Sequence, residues 1–149
     1  MSESSKKFLV TGATGKTGAY VVRQLRDRGE QVRALVHSED ERSANLAAAG
    51  AEIVVGDMLD LAAVTAATRD ITAAYFIYPL APGLLEATAI FAQAAAESGV
   101  SAIVNMSQIS ARRDAASNAA ASTGSPSAFS TGRRFPSPIC VRRSSPRTW

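Results

Sequence analysis

Three glycines spaced by two residues, Gly12, Gly15 and Gly18, lie within TGATGKTG, the segment from Thr11 to Gly18. Each position has a reason to dispense with a side chain: the first turns the chain tightly, the second admits a pyrophosphate to the backbone, and the third lets a helix pack close to a strand. Thr14 and Thr17 add hydroxyls of the kind that reach phosphate oxygens or cap a helix, and Lys16 adds a cation beside them or in water. The chemistry served is the grip on a dinucleotide by N–H groups and partial positive charge at a helix N-terminus. A glycine triplet alone is a weak signal, but here both flanks agree with it. The apolar run Phe8-Leu9-Val10 precedes it, and Ala19-Tyr20-Val21-Val22-Arg23-Gln24-Leu25 follows with helical spacing. Gly15-Lys16-Thr17 lacks the G-x-x-x-x-G-K spacing of a nucleoside triphosphate loop.

These residues require a strand before the turn and a helix after it, and the same alternation continues along the chain. A helix is predicted from about Thr17 to Arg28, closed by Gly29, then a strand from Gln31 to Val36 and a helix from Glu39 to Ala49, stopped by Gly50. Glu52 to Val55 reads as the third strand, Leu61 to Thr68 as a short helix, and Ala73 to Ile77 as the fourth strand, closed by Tyr78-Pro79. Pro82 to Ser98 is an Ala-rich helix ended by Gly99, and Ser101 to Met106 is the fifth strand. Strands alternating with helices at this spacing require right-handed crossovers. The expected fold is α/β: a three-layer, doubly wound, Rossmann-type parallel sheet of order 3-2-1-4-5, with a ligand where the order reverses.

The 149 residues suit one domain, expected over residues 7–120 after a disordered stretch at 1–6. Residues 1–120 carry a net charge of −2 and residues 121–149 carry +5, so the basic pI of about 9.4 belongs to the tail. The domain's charge therefore gives no support for a nucleic-acid surface. Cys140 is the only cysteine and His37 the only histidine, which leaves no basis for a disulfide framework, a metal centre or a Cys-His nucleophile. No signal peptide or membrane-length apolar run is present, and the expected setting is cytoplasmic.

Residues 121–149 hold seven Ser, four of the six Pro and no acid, without helical or strand periodicity. They read as an irregular, disordered tail. Permissible codons for Ser122 to Thr131, read one base earlier, give (K/Q/E)HWLAERVLD, and continuation through Ile139, Cys140 and Val141 gives WSxVPVTHLRPTFFAE. The hidden string contains an amphipathic helix and then a strand, the next elements a βαβ sheet requires. The tail is accordingly read as a frameshift product, with the sheet truncated after its fifth strand. Truncation would leave Ser101 to Met106 as an exposed edge that invites a homo-oligomer.

The chain resembles the NmrA-like group of atypical short-chain dehydrogenase/reductases over about residues 7–120. The resemblance is carried by TGATGKTG, by VRALVH at Val32 to His37, by VVGDM at Val54 to Met58, by YFIYPL at Tyr75 to Leu80, and by NMSQISAR at Asn105 to Arg112. That group includes NAD(P)H-dependent quinone reductases and nucleotide-sensing regulators. The resemblance implies that Asp57 lies next to the adenine with Met58 on the ring, and that Tyr78 and Pro79 flank the ribose and nicotinamide. It also implies that Ser107 matches the catalytic serine position of ordinary short-chain dehydrogenases. Each has an ordinary alternative: Asp57 as a turn or capping residue, Tyr78-Pro79 as packing, Ser107 as a strand-end turn. In the family, the part missing here builds the last strands and much of the substrate pocket.

Nucleotide choice depends on the exit of the second strand, where an acid binds the ribose of NAD and cations or donors accept the 2′-phosphate of NADP. Val36 is apolar, His37 and Ser38 are donors, and Arg42 is a cation, while Glu39, Asp40 and Glu41 oppose a phosphate unless they belong to a helix N-terminus. Family members that prefer NADP often carry Arg where His37 stands. The donors favour NADP(H) over NAD(H), with His37 as a solvated loop residue the alternative.

Ordinary short-chain dehydrogenases use Tyr-x-x-x-Lys, in which the lysine lowers the tyrosine pKa. The tyrosines here are Tyr20, Tyr75 and Tyr78 and the lysines Lys6, Lys7 and Lys16, so no such dyad forms and no catalytic residue is assigned. Carbonyl reduction through that relay is disfavoured, whereas hydride transfer to a quinone-like substrate needs only cofactor and water. The expectation is an NAD(P)-binding oxidoreductase, with a non-catalytic NADP(H) sensor or an inactive product as alternatives.

Overall fold

The computed structural model describes residues 6–106. The expectations for residues 1–5, for Ser107 and for the tail lie outside the described residues. Five strands and four helices alternate: β1 (Lys7–Thr11), α1 (Lys16–Asp27), β2 (Gln31–Val36), α2 (Glu41–Ala48), β3 (Glu52–Val55), α3 (Leu61–Thr68), β4 (Ala73–Phe76), α4 (Leu84–Glu97) and β5 (Ala102–Asn105). They form one five-stranded sheet of order β3-β2-β1-β4-β5, and every neighbouring pair is parallel. The α/β Rossmann-type architecture and strand order are those expected from the sequence.

Alternation along each strand divides the core into two layers. Leu9, Leu35, Ala74 and Phe76 project to one side, where Val64, Ala67, Phe91, Ala94 and Ala95 of α3 and α4 cover them. The rings of Phe76 and Phe91 meet at 4.7 Å between centroids. Val10, Val32, Ala34 and Val36 project to the other side, against Val22 of α1 and Leu46 of α2. This two-sided burial explains why β2 is apolar from Val32 to Val36 except at Arg33.

Most boundaries fall within a residue or two of the sequence reading, and three of the differences have a visible physical reason. β4 ends at Phe76 rather than Ile77, because Ile77 spends its N–H on the Thr11 hydroxyl rather than on a neighbouring strand. α2 begins at Glu41 rather than Glu39, since Asp40 is its extended N-cap. α4 begins at Leu84 rather than Pro82, because Gly83 sits at φ 94°, outside the helical region.

Arg33 reaches from β2 toward the end of α3, where Nη1 donates to the carbonyls of Ala67 and Arg69, both at 2.9 Å. Its Nη2 meets Glu52 at 3.1 Å, and Lys7 Nζ meets the same carboxylate at 2.6 Å. A cation at the carbonyl end of a helix is favourably placed. Burial opposes ionisation of Glu52, but the hydrogen bonds and charges of Arg33 and Lys7 outweigh it and lower its pKa. Its ionised form therefore adds stability above the ordinary value of 4.5, a contribution lost as pH falls through the lowered folded value. Arg33→Ala leaves Glu52 and two carbonyls without this partner, and urea denaturation is expected to show a loss of about 2–4 kcal/mol.

Candidate functional site

The carboxyl ends of the parallel strands bring most of the sequence-identified residues to one rim. At its centre the chain leaves β1 and turns through Gly12, at φ 57°, to the extended Gly15, which is the N-cap of α1. The turn closes with the Gly15 N–H donating to the Gly12 carbonyl at 3.0 Å, and the first helical bond runs from Ala19 N–H to the Gly15 carbonyl at 2.8 Å. No side chain caps the helix. Thr14 and Thr17 therefore do not cap it, a correction to that alternative: a glycine N-cap has no side-chain oxygen, and Thr17 already lies inside the first turn. The amides of Lys16, Thr17 and Gly18 precede the first intrahelical bond and open toward the rim. Gly15, Lys16 and Thr17 are exposed and Thr14 is half-buried.

The glycines do different jobs. A Cβ on Gly18 would lie 2.3 Å from the Gly12 carbonyl oxygen and 2.8 Å from the Ala13 Cα. The helix thus starts in backbone contact with the strand that precedes it. A Cβ on Gly12 would meet Ile77 at 3.3 Å in addition to its positive φ. At Gly15 the nearest atom would be the Gly12 oxygen at 3.2 Å, and the outer side of the turn is open.

Thr11, which the motif reading passed over, fastens this turn to the exit of β4. It is fully buried; its hydroxyl donates to the Ile77 carbonyl and accepts the Ile77 N–H, both at 2.8 Å. The signal was present in the sequence as a lone hydroxyl ending an apolar strand, although its partner lies 66 residues away. The clasp holds the glycine turn beside Tyr78 and Pro79, at the position where the strand order reverses.

The other half of the rim follows from β2 and β3. The Gly56 N–H donates to the Val36 carbonyl at 2.9 Å, which sets Asp57 beside the exposed His37 and Ser38. The Asp57 carboxylate accepts the Leu59 N–H at 2.9 Å, so it serves the turn before α3, while Asp60 caps that helix through Ala62 N–H. Met58 and Tyr78 are half-buried and pack on the same core layer. The Tyr78 hydroxyl lies over Gly83, where a Cβ would come within 3.0 Å of it and 3.3 Å of the Leu59 methyl groups. Pro79 is exposed.

The acidic run after Ser38 is a helix N-terminus. Asp40 Oδ1 accepts the Ser43 N–H at 2.9 Å, and the Ser43 hydroxyl accepts the Asp40 N–H at 2.8 Å, a reciprocal capping box. Asp40 Oδ2 takes Nε and Nη2 of Arg42 at 2.8 and 2.6 Å. The Ser43 N–H and then the Arg42 guanidinium hold the Asp40 carboxyl below the ordinary carboxylate range. Tyr75 projects away from the rim into the α1–α2 layer, where burial pushes its phenol above the ordinary tyrosine range. It is not placed to donate a proton at the strand ends.

A glycine turn open at Gly15, a helix start without a side-chain cap and a flanking rim of donors can hold an anionic group against bare backbone. The family model described as NAD(P)H-binding matches residues 12–129. The chain is similar to the NADPH-dependent quinone oxidoreductase of Escherichia coli, solved with NADPH, at 26% identity and a TM-score of 0.69 over 78% of this chain and 41% of that one. It shares the fold of NmrA, a negative transcriptional regulator solved with NAD, at 22% identity and a TM-score of 0.66 over 71% of this chain and 34% of that one. A curated relative, the chloroplastic protein High Chlorophyll Fluorescence Phenotype 173 of Arabidopsis thaliana, is 46% identical over 50 residues, 34% of this chain and 8% of its own length. The chain thus spans less than half the length of each. Among the described residues, no helix is long and apolar enough to cross a membrane.

The geometry of the turn is open to a direct check by urea denaturation. Gly18→Ala forces strand and helix apart and is expected to cost about 3 kcal/mol, whereas Gly15→Ala costs less than about 1 kcal/mol. Thr11→Val, which strands both polar groups of Ile77, is expected to cost about 1–3 kcal/mol.

Proposed function

The chain belongs to the NAD(P)H-binding family, with the fold of its NmrA-like and reductase relatives, and from that premise we propose that it is an NADPH-dependent oxidoreductase of quinone-like acceptors. One observation carries the reading: the N-terminus of α1, without a side-chain cap, opens over a glycine turn whose outer side at Gly15 is free of other atoms, where the sheet order reverses.

In this reading Gly12, Gly15 and Gly18 give the pyrophosphate room, the amides of Lys16, Thr17 and Gly18 bond it, and Thr14, Lys16 and Thr17 border it. His37 and Ser38 meet the adenosine ribose and its 2′-phosphate, Asp57 and Met58 border the adenine, and Tyr78 and Pro79 line the far ribose. When bound, the dihydronicotinamide supplies a hydride. A quinone takes that hydride and a proton from water, so the missing Tyr-x-x-x-Lys dyad is no obstacle. The similarity to the quinone oxidoreductase supports this acceptor class. A cytoplasmic setting would supply the reduced nucleotide.

Calorimetric titration of the full chain with NADPH, followed by NADPH consumption with a panel of benzoquinones and naphthoquinones, tests the proposal. Saturable binding and quinone-dependent oxidation are expected. Tight binding of one redox form without turnover would replace it with a nucleotide sensor, and no binding of either nucleotide would end it. The tail is part of the same reading: we take the domain to occupy residues 7–120 and residues 121–149 to be out-of-frame translation. Resequencing the codons for Asn118 to Ser125 should reveal an insertion or deletion, and an intact frame removes that account.

A further inference from the structure

We propose that Asp40 determines nucleotide choice by competing with the 2′-phosphate of NADP(H) for the Arg42 guanidinium. The inference rests on the dinucleotide reading above and goes beyond it by naming a residue that works against the phosphorylated form.

The geometry at the start of α2 gives Asp40 two jobs on two oxygens. Oδ1 is committed to the Ser43 N–H at 2.9 Å, and Ser43 is itself buried and answers with its hydroxyl on the Asp40 N–H. The carboxylate is therefore fixed in place by the capping box before Arg42 is considered. Oδ2 then takes both Nε and Nη2 of Arg42, at 2.8 and 2.6 Å, although 69% of the Arg42 side chain is exposed. A guanidinium has five N–H donors, and this latch occupies two of them while neutralising the charge. The ribose-recognition position in such folds lies about 20 residues beyond the glycine turn. In this chain that is His37, and the latched pair follows within the next turn of chain.

Arg42 is the sole cation between Ser38 and Gly50, while Glu39 and Glu41 are exposed on either side of Asp40. A dianionic 2′-phosphate that engages Arg42 has to share it with Asp40 or displace it, and with the latch closed the exposed carboxylates of Glu39 and Glu41 leave the local charge against the phosphate. Nucleotides without that phosphate meet no such contest. The donors at His37 and Ser38 lean toward NADP(H), and Asp40 pulls the balance back.

The test separates the latch from general charge. In Asp40→Asn the side-chain oxygen still caps α2, since asparagine caps as well as aspartate, but the anion that holds Arg42 is gone. Calorimetric titration of the full chain with NADP+ and NAD+ is expected to show NADP+ tightened about three- to fivefold and NAD+ changed less than about twofold. Asp40→Ser, also a competent cap, should reproduce the shift, with helix content checked by far-UV circular dichroism. Glu41→Gln removes the same charge without touching the latch and should move NADP+ less than about twofold. Asp40→Asn combined with Arg42→Ala should lose the gain. An equal gain in Glu41→Gln, a gain that survives loss of Arg42, or unchanged NADP+ affinity in both folded Asp40 variants would each overturn the proposal. Failure of the unmutated chain to bind either nucleotide would sink the dinucleotide reading and this inference together, whereas normal binding with no Asp40 effect would sink only this inference.

Discussion

The backbone contact between Gly18 and the Gly12 carbonyl is the constraint from which the rest of the molecule follows. With a Cβ position only 2.3 Å from that oxygen, α1 cannot begin where it does if any side chain stands at residue 18. Close docking of the helix start on the strand end lets Val22 reach the layer formed by Val10, Val32, Ala34 and Val36. It also aims the unbonded amides of the first helical turn past the strand ends. The same atoms serve packing and, in the proposed reading, the ligand, and the packing alone excludes a larger residue at position 18.

A turn this tight needs an anchor on its far side, and Thr11 supplies one. Its buried hydroxyl satisfies both polar groups of Ile77, a residue that has left the β ladder and has no strand partner for them. β4 consequently stops one residue early, and its exit loop is held against the glycine turn. The cleft between β1 and β4 arises because crossovers on opposite faces leave the sheet in opposite directions there. The clasp fixes how closely the two exits approach.

Electrostatics divides the rim into unlike halves. Around α1 the positive character comes from backbone amides and Lys16, without an acid in the first helical turn. Around α2 an acidic capping box neutralises the one nearby arginine. At the opposite, amino end of the sheet, Arg33 does for α3 what no residue in its sequence neighbourhood does, joining two terminal carbonyls to Glu52 and Lys7.

Local pattern was enough to specify the α/β architecture, because period and punctuation are properties of neighbouring residues: apolar runs of strand length, helical spacing between them, and Gly29, Gly50 and Gly99 as stops. Strand order was legible too, since right-handed crossovers leave few alternatives. The glycine turn was readable for the same reason, as all its parts lie within eight residues. What the sequence could not disclose were pairings between distant segments and choices among neighbouring donors. Thr11 with Ile77, Arg33 with the end of α3, and the Tyr78 hydroxyl over Gly83 each join residues that only the folded sheet brings together. The acids after Ser38 were visible, yet whether they faced a phosphate or a helix start depended on the φ and ψ of Asp40. Periodicity determines which elements form; the closing of those elements on one another determines which polar atoms are already spent and which remain for a ligand.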